Sequence, residues 1–114
     1  RAETIRRFSN AAFPSLEPVL AQYLADAGIA LVDGVCVAAA GPVRDGVAVM
    51  TNLDWTIDSA SLIRATGAGQ TAILNDLQAQ GHALGHIAPE FLRPLVPGPH
   101  QSGAAMLVVG VGTG

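Results

Sequence analysis

The chain has 114 residues, half of them apolar and 13% charged, which is enough for one modest domain and too apolar for a disordered tail. Its formal net charge of -3 excludes the basic footprint of a nucleic-acid or anionic-membrane binder. All six cationic side chains are Arg, so a Walker-type phosphate loop, which needs Gly-Lys-Ser/Thr, is excluded too.

The single cysteine, Cys36, cannot form an internal disulfide. It lies in the apolar run Val35–Ala40, where a small buried core residue is expected rather than a reactive thiol. That fits a reducing cytoplasm, the expected location. Polar or turn residues interrupt every apolar run before membrane-spanning length. Arg1–Phe8 lacks the apolar segment of a signal peptide.

In chain order, Thr4, Ile5 and Phe8 point to a short strand over Glu3–Phe8, although Arg6 and Arg7 break its pattern. Asn10–Phe13 reads as a turn. Ser15–Ala27 is the clearest helix, with Leu16, Val19, Leu20, Tyr23, Leu24 and Ala27 on one face. Pro14 and Pro18 sit at or near its first turn, where a missing N–H costs little, and Gly28 supplies the stop. Gly34–Ala40 is a continuous apolar run, the pattern of a central strand covered on both faces. Gly41-Pro42 ends it, Arg44-Asp45-Gly46 signals a turn, and Val47–Thr51 is expected to complete a hairpin with it. Asp58–Ala65 reads as a short helix capped by Asp58 or Ser59, with Gly67 just beyond its end. Thr71–Leu74 is a short apolar strand running into Asn75-Asp76 and a helix over Leu77–Leu84. Gly85–Ser102 is a proline-rich connection, and Ala105–Val109 a final buried strand ended by glycines. Strands alternating with helices give an α/β class.

Three constellations are able to carry chemistry. Asn75 and Asp76 stand where a strand ends and a helix begins, the place where open α/β sheets bind ligands. A carboxylate there accepts a proton from a substrate hydroxyl within hydrogen-bond reach, and a neighbouring amide orients the same substrate. Asn and Asp are also favoured helix caps, and from these two residues alone capping is the stronger reading. Gly110-Val111-Gly112-Thr113-Gly114 follows an apolar run, and glycines there let backbone N–H groups approach a phosphate. An ordinary tight turn and a dinucleotide-binding loop are the competing readings. Thr51 and Asn52 end a strand, where they could contact a ligand such as a sugar, while Trp55 could pack under their loop or stack on a ligand. Core anchoring is the commoner role for such an aromatic. His82 and His86 have i, i+4 spacing, but Ala83-Leu84-Gly85 between them lacks the Glu of a zincin motif, so no metal site is expected. His100 lies in a Pro/Gly loop and suggests nothing.

In this order and spacing, these pieces resemble the bacterial glucokinase family of actin-like sugar kinases. The likeness begins at Phe13-Pro14-Ser15-Leu16 and continues through Ala38-Ala39-Ala40-Gly41-Pro42-Val43 and Met50-Thr51-Asn52-Leu53-Asp54-Trp55. It is most specific at Ile73-Leu74-Asn75-Asp76 and at Gly110-Val111-Gly112-Thr113-Gly114. The resemblance implies a partial actin-like ATPase (ribonuclease H-like) α/β fold, a mixed sheet with flanking helices. Residues 1–103 would be most of the small lobe plus a connection, and 104–114 the first strand and phosphate loop of the large lobe.

The resemblance also implies roles. Asp76 matches the base that takes the proton from the sugar 6-hydroxyl as it attacks the γ-phosphate of ATP. Asn75 matches a sugar-binding asparagine, and Asn52 would lie near the sugar cleft. Gly112, Thr113 and Gly114 match a phosphate-binding loop. ATP, Mg²⁺ and glucose or a close hexose are the implied ligands, and glycolysis the implied setting. Two departures stand out. Leu77 replaces the family Phe after Asn-Asp, and the family's Asp-x-Gly-Gly-Thr loop and later Glu and His sugar ligands have no counterpart in this sequence. Leu77 is a tolerable apolar change, but the absent motifs suggest an internal fragment, inactive alone, whose exposed edge or apolar patch drives homo-oligomer formation. Two alternatives remain at this point: a sugar-sensing regulator of the same fold, and a nucleotide-binding oxidoreductase fragment.

Overall fold

The structure, a computed structural model, describes residues 4–50, 52–99 and 101–110. They fall into two compact units that meet in the chain between Asn75 and Asp76.

In the first unit, helix α1 spans Leu16–Ala27, one residue shorter than its apolar periodicity predicts. Glu17 in its first turn complements the helix dipole. Gly28, at φ 65°, closes its end: the Gly28 N–H reaches the Ala25 carbonyl at 3.1 Å and the Ile29 N–H that of Leu24 at 2.9 Å. This pair of bonds is a Schellman motif, which needs a left-handed residue at that position.

Strand β1 (Gly34–Ala39) pairs in parallel with β5 (Gln70–Asn75), from Gly34 opposite Gln70 to Ala39 opposite Asn75. Short strands β2 (Val43–Arg44), β3 (Val47–Met50) and β4 (Trp55–Ile57) form a separate antiparallel sheet in the order β2-β3-β4. The expected hairpin between Gly34–Ala40 and Val47–Thr51 is therefore corrected. A two-residue turn pairs only what flanks it, and Asp45-Gly46, at φ 50° and 75°, joins Arg44 to Val47. Gly41-Pro42 has by then taken the chain off β1, which is left for β5.

Helix α2 (Ser59–Thr66) connects the sheets, capped by Asp58 and stopped at Gly67, φ 68°. Thr66, buried near its end, is satisfied locally: its hydroxyl donates to the Leu62 carbonyl at 2.7 Å and accepts from the Ala68 N–H at 3.2 Å. The core is Ala39, Ala48, Ile57 and Leu62, with Leu16, Leu20, Val37 and Ile73 among the partly buried side chains packed on it.

Covering on both faces of β1 is not what is found. Val35 and Val37 are half-buried and Ala39 is buried, but Gly34, Cys36 and Ala38 are exposed. On β5 the neighbours of that open face, Gln70 and Ala72, are exposed as well. The run reads as apolar because its outward positions are small rather than polar. Cys36 is thus exposed, not a core residue. The expected strand at Glu3–Phe8 is also absent over its described part, residues 4–8. Instead Tyr23 donates its hydroxyl to the Thr4 carbonyl at 3.1 Å, and the rings of Phe8 and Phe13 meet edge-to-face at 6.0 Å. Arg6 and Arg7 are exposed there, which leaves no inward-facing alternation to hold a strand.

In the second unit, helix α3 spans Asp76–Ala83 and runs into 3-10 turns at Leu84–His86 and Pro89–Phe91. The buried strand expected at Ala105–Val109 is not formed. Residues 104–110 are irregular, and Met106, Leu107 and Val109 are exposed. A strand needs a ladder partner, and none pairs with this segment among the described residues. Among those residues no helix is long and apolar enough to cross a membrane.

Candidate active site

The carboxyl end of β5 is fixed from below. Ile73 packs on the core, and Asn75 stands opposite Ala39, which is 2% exposed. Asn75 is half-buried, and its side-chain nitrogen Nδ2 donates to the Gly41 carbonyl at 3.0 Å. That bond spans the two chain segments that leave the parallel pair, so the amide nitrogen serves a long-range contact rather than a local cap. Gly41 is itself clamped: its N–H donates to the Ala39 carbonyl at 2.9 Å, and the Val49 N–H reaches the Pro42 carbonyl at 3.4 Å.

Asp76 follows directly and is the first residue of α3. Its Oδ1 accepts the N–H of Leu77 at 2.9 Å. The carboxylate thereby gains an orientation from the helix start and sits favourably at the positive end of the helix. The other carboxylate oxygen, Oδ2, takes no part in that bond. Chemically, Asn75 offers an amide fixed at a strand end and Asp76 a carboxylate acceptor at a helix start, residue types that suit a hydroxylated substrate.

Asn52 is exposed in the turn after β3. The turn is held by the Leu53 N–H on the Met50 carbonyl at 3.1 Å and contains Asp54 at φ 52°. Trp55 is buried, at 5% exposure, in the register position opposite Met50. Of its two sequence-based roles, core anchoring is the one observed. Thr51, His100, Gly112, Thr113 and Gly114 lie outside the described residues. His82 lies in the last turn of α3 and His86 in the following 3-10 turn, both exposed. Among the described residues no group of three or more His, Cys, Asp or Glu gathers as a metal-binding set.

Sequence reasoning missed the close approach at Gly41. A Cβ on Gly41 would lie 2.7 Å from the Val49 carbonyl oxygen. Gly-Pro read only as a strand end, and the partner that makes the glycine necessary lies on another strand.

A family model described as glucokinase matches residues 1–114. The chain belongs to the glucokinase family. It is 32% identical over 107 residues to the glucokinase of Nostoc punctiforme, covering 94% of this chain and 31% of that protein. It is 33% identical over 112 residues to the Synechocystis glucokinase, covering 94% of this chain and 32% of that protein. With the Pseudomonas paraeruginosa glucokinase the identity is 34% over 116 residues, across 100% of this chain and 34% of that one. This glucokinase-family chain therefore spans about a third of the length of the curated relatives it matches. The crystal structure of a glucokinase from an Antarctic psychrotroph matches it with a TM-score of 0.66 at 28% identity, over 73% of this chain and 26% of that one. The expected partial actin-like α/β fold, with parallel and antiparallel sheets and flanking helices, is the one this glucokinase-family chain has. The oxidoreductase alternative is set aside by the same matches.

Proposed function

We propose that the complete kinase containing this chain transfers the γ-phosphoryl group of ATP to the 6-hydroxyl of glucose or a close hexose. The observation that carries the proposal is the Asn75-Asp76 pair at the carboxyl end of β5, in a chain of the glucokinase family. Asp76 accepts the hydroxyl proton as the sugar oxygen bonds to the γ-phosphorus. The bond from that phosphorus to the β,γ-bridging oxygen breaks, and ADP leaves. Asn75 holds the sugar in line for attack, and Asn52 lies beside the sugar cleft. Gly112, Thr113 and Gly114 are the residues assigned to binding the ATP phosphates.

Mg²⁺ would supply charge neutralisation on the ATP phosphates. The described residues do not gather a donor set for it, and no step is assigned through it on this chain. Most of the rate enhancement then rests on positioning and phosphate electrostatics. Residues 1–103 belong to the smaller lobe and 104–114 to the larger, in a cytoplasmic enzyme of sugar breakdown. The 114 residues alone are read as inactive, since they span about a third of the relatives' length.

The test is Asp76→Asn in the complete kinase. Removing a general base is expected to lower turnover by about 10²–10⁴-fold while glucose binding, measured by calorimetry, survives. Turnover within a few-fold of wild type would sink the assignment of Asp76 as the base, whereas glucose binding without any turnover in the unmodified protein would favour a sugar-binding regulator.

A further inference from the structure

We propose that Gly41 is a positioning residue for Asn75. It is the only kind of residue that lets the β2–β3 ribbon and the end of β5 close on one another, and it fixes which way the Asn75 amide faces. The inference rests on the kinase reading for its consequence, but its geometry does not.

Two observations carry it. The Gly41 carbonyl accepts the Asn75 Nδ2–H at 3.0 Å. At the same residue a Cβ would sit 2.7 Å from the Val49 carbonyl oxygen and 3.6 Å from its carbonyl carbon. The obstacle is backbone, not the end of a flexible side chain, and Val49 lies in β3, paired with Thr56 of β4. It has no easy way to yield. Gly41 is also tethered to β1 through its own N–H on the Ala39 carbonyl at 2.9 Å. Adding a methyl group would therefore push the Gly41 peptide away from β3 and move the acceptor on which Asn75 rests.

The consequence for the amide is directional. With Nδ2 turned to a carbonyl oxygen, the flipped orientation would set Oδ1 against that oxygen, two acceptors face to face. Gly41 thus selects one of the two amide orientations before any ligand arrives. For a sugar-binding asparagine, that choice decides which atom is presented to a ring hydroxyl. Preorganisation of this kind lowers the ordering cost on binding.

The test has an arm that needs no catalysis. With selective 15N-asparagine labelling of the 114-residue chain, side-chain amide pairs are expected from Asn10, Asn52 and Asn75. The Asn75 pair should exchange with solvent measurably more slowly than that of exposed Asn52. Equal exchange in the unmodified chain overturns the proposal, whether or not any variant folds. In Gly41→Ala the Asn75 pair should shift and lose its protection. In Gly46→Ala, where a Cβ meets nothing within 4 Å, it should not change. In the complete kinase, Gly41→Ala should raise the KM for glucose about tenfold, the scale of one hydrogen bond, with the KM for ATP unchanged. An unchanged glucose KM overturns the positioning role. Failure of the kinase reading itself would show separately, as no ATP-dependent hexose phosphorylation by the unmodified complete protein.

Discussion

Asp58 and Ser61 hydrogen-bond each other in both directions at the start of α2. The Asp58 carboxylate accepts the Ser61 N–H at 2.7 Å, and the Ser61 hydroxyl lies 3.3 Å from the Asp58 N–H, which donates to it. The Ser61 N–H is the main reason the Asp58 carboxyl is held below its usual value; the Ser61 hydroxyl and Arg64 act the same way, and desolvation opposes them. A carboxyl depressed in the folded state adds stability above its unfolded pKa, and the contribution fades as pH falls through the folded one. Asp58→Ala should lower the thermal midpoint at neutral pH, and the deficit should narrow in acid below the usual aspartate range. Melts followed by circular dichroism at both pH values check this. A deficit that does not narrow would show that the charge on Asp58 contributes nothing to the cap.

Gly46 separates backbone cost from crowding. It lies at φ 75° with open space where a Cβ would go. Gly46→Ala should therefore destabilise by about 1–2 kcal/mol, the cost of a left-handed alanine, and Gly46→Asn by less. Urea unfolding is the measurement, with an unchanged m-value showing that only the folded turn is affected.

Cys36 is exposed on the open face of the β1–β5 pair. Its thiol should react fully with Ellman's reagent in the native 114-residue chain, at a rate within a few-fold of that in denaturant. A thiol that reacts only after unfolding would mean that this face is covered in solution.

Exposed apolar side chains crowd the second unit: Phe91, Leu95, Val96 and Leu107 are each at least 80% exposed. Such surface promotes association. Light scattering of the 114-residue chain should give a mass that rises with concentration, and Leu95→Glu with Leu107→Glu should reduce the rise. A monomeric mass at every concentration would refute self-association through this surface.

Local chemistry was legible in the sequence; pairing was not. The stop at Gly28, the Asp58 cap, the Asp45-Gly46 turn and the strand-to-helix step at Asn75-Asp76 each depend on neighbours a few positions away. Sequence reading placed all of them within a residue or two. The choice of β5 rather than β3 as the partner of β1 is a long-range decision, and apolar runs at 34–40 and 47–51 look equally suitable for it. Cys36 was misplaced for a related reason. Gly, Cys and Ala count as apolar, yet on a strand with one open face they mark the outward positions. The candidate site shows the same division. Asp76 and Asn75 were readable as residue types at a strand end, but the bond from Asn75 to Gly41 crosses 34 positions and leaves no trace in local pattern.

The parallel register of β1 with β5 also has a consequence for timing during synthesis. Gly34 cannot meet Gln70, nor Ala39 meet Asn75, until the ribosome has released the chain through that point. The β2-β3-β4 ribbon has short connections and is free to close earlier, while β1 waits with an unpaired edge. Loop closure over that distance is the slow kind of contact. The acceptor at Gly41 is thus made well before the amide it holds, and the site-bearing end of β5 is among the last parts of the first unit to find its place. Translation that pauses before Asn75 emerges would prolong the interval in which β1 is open to a wrong strand.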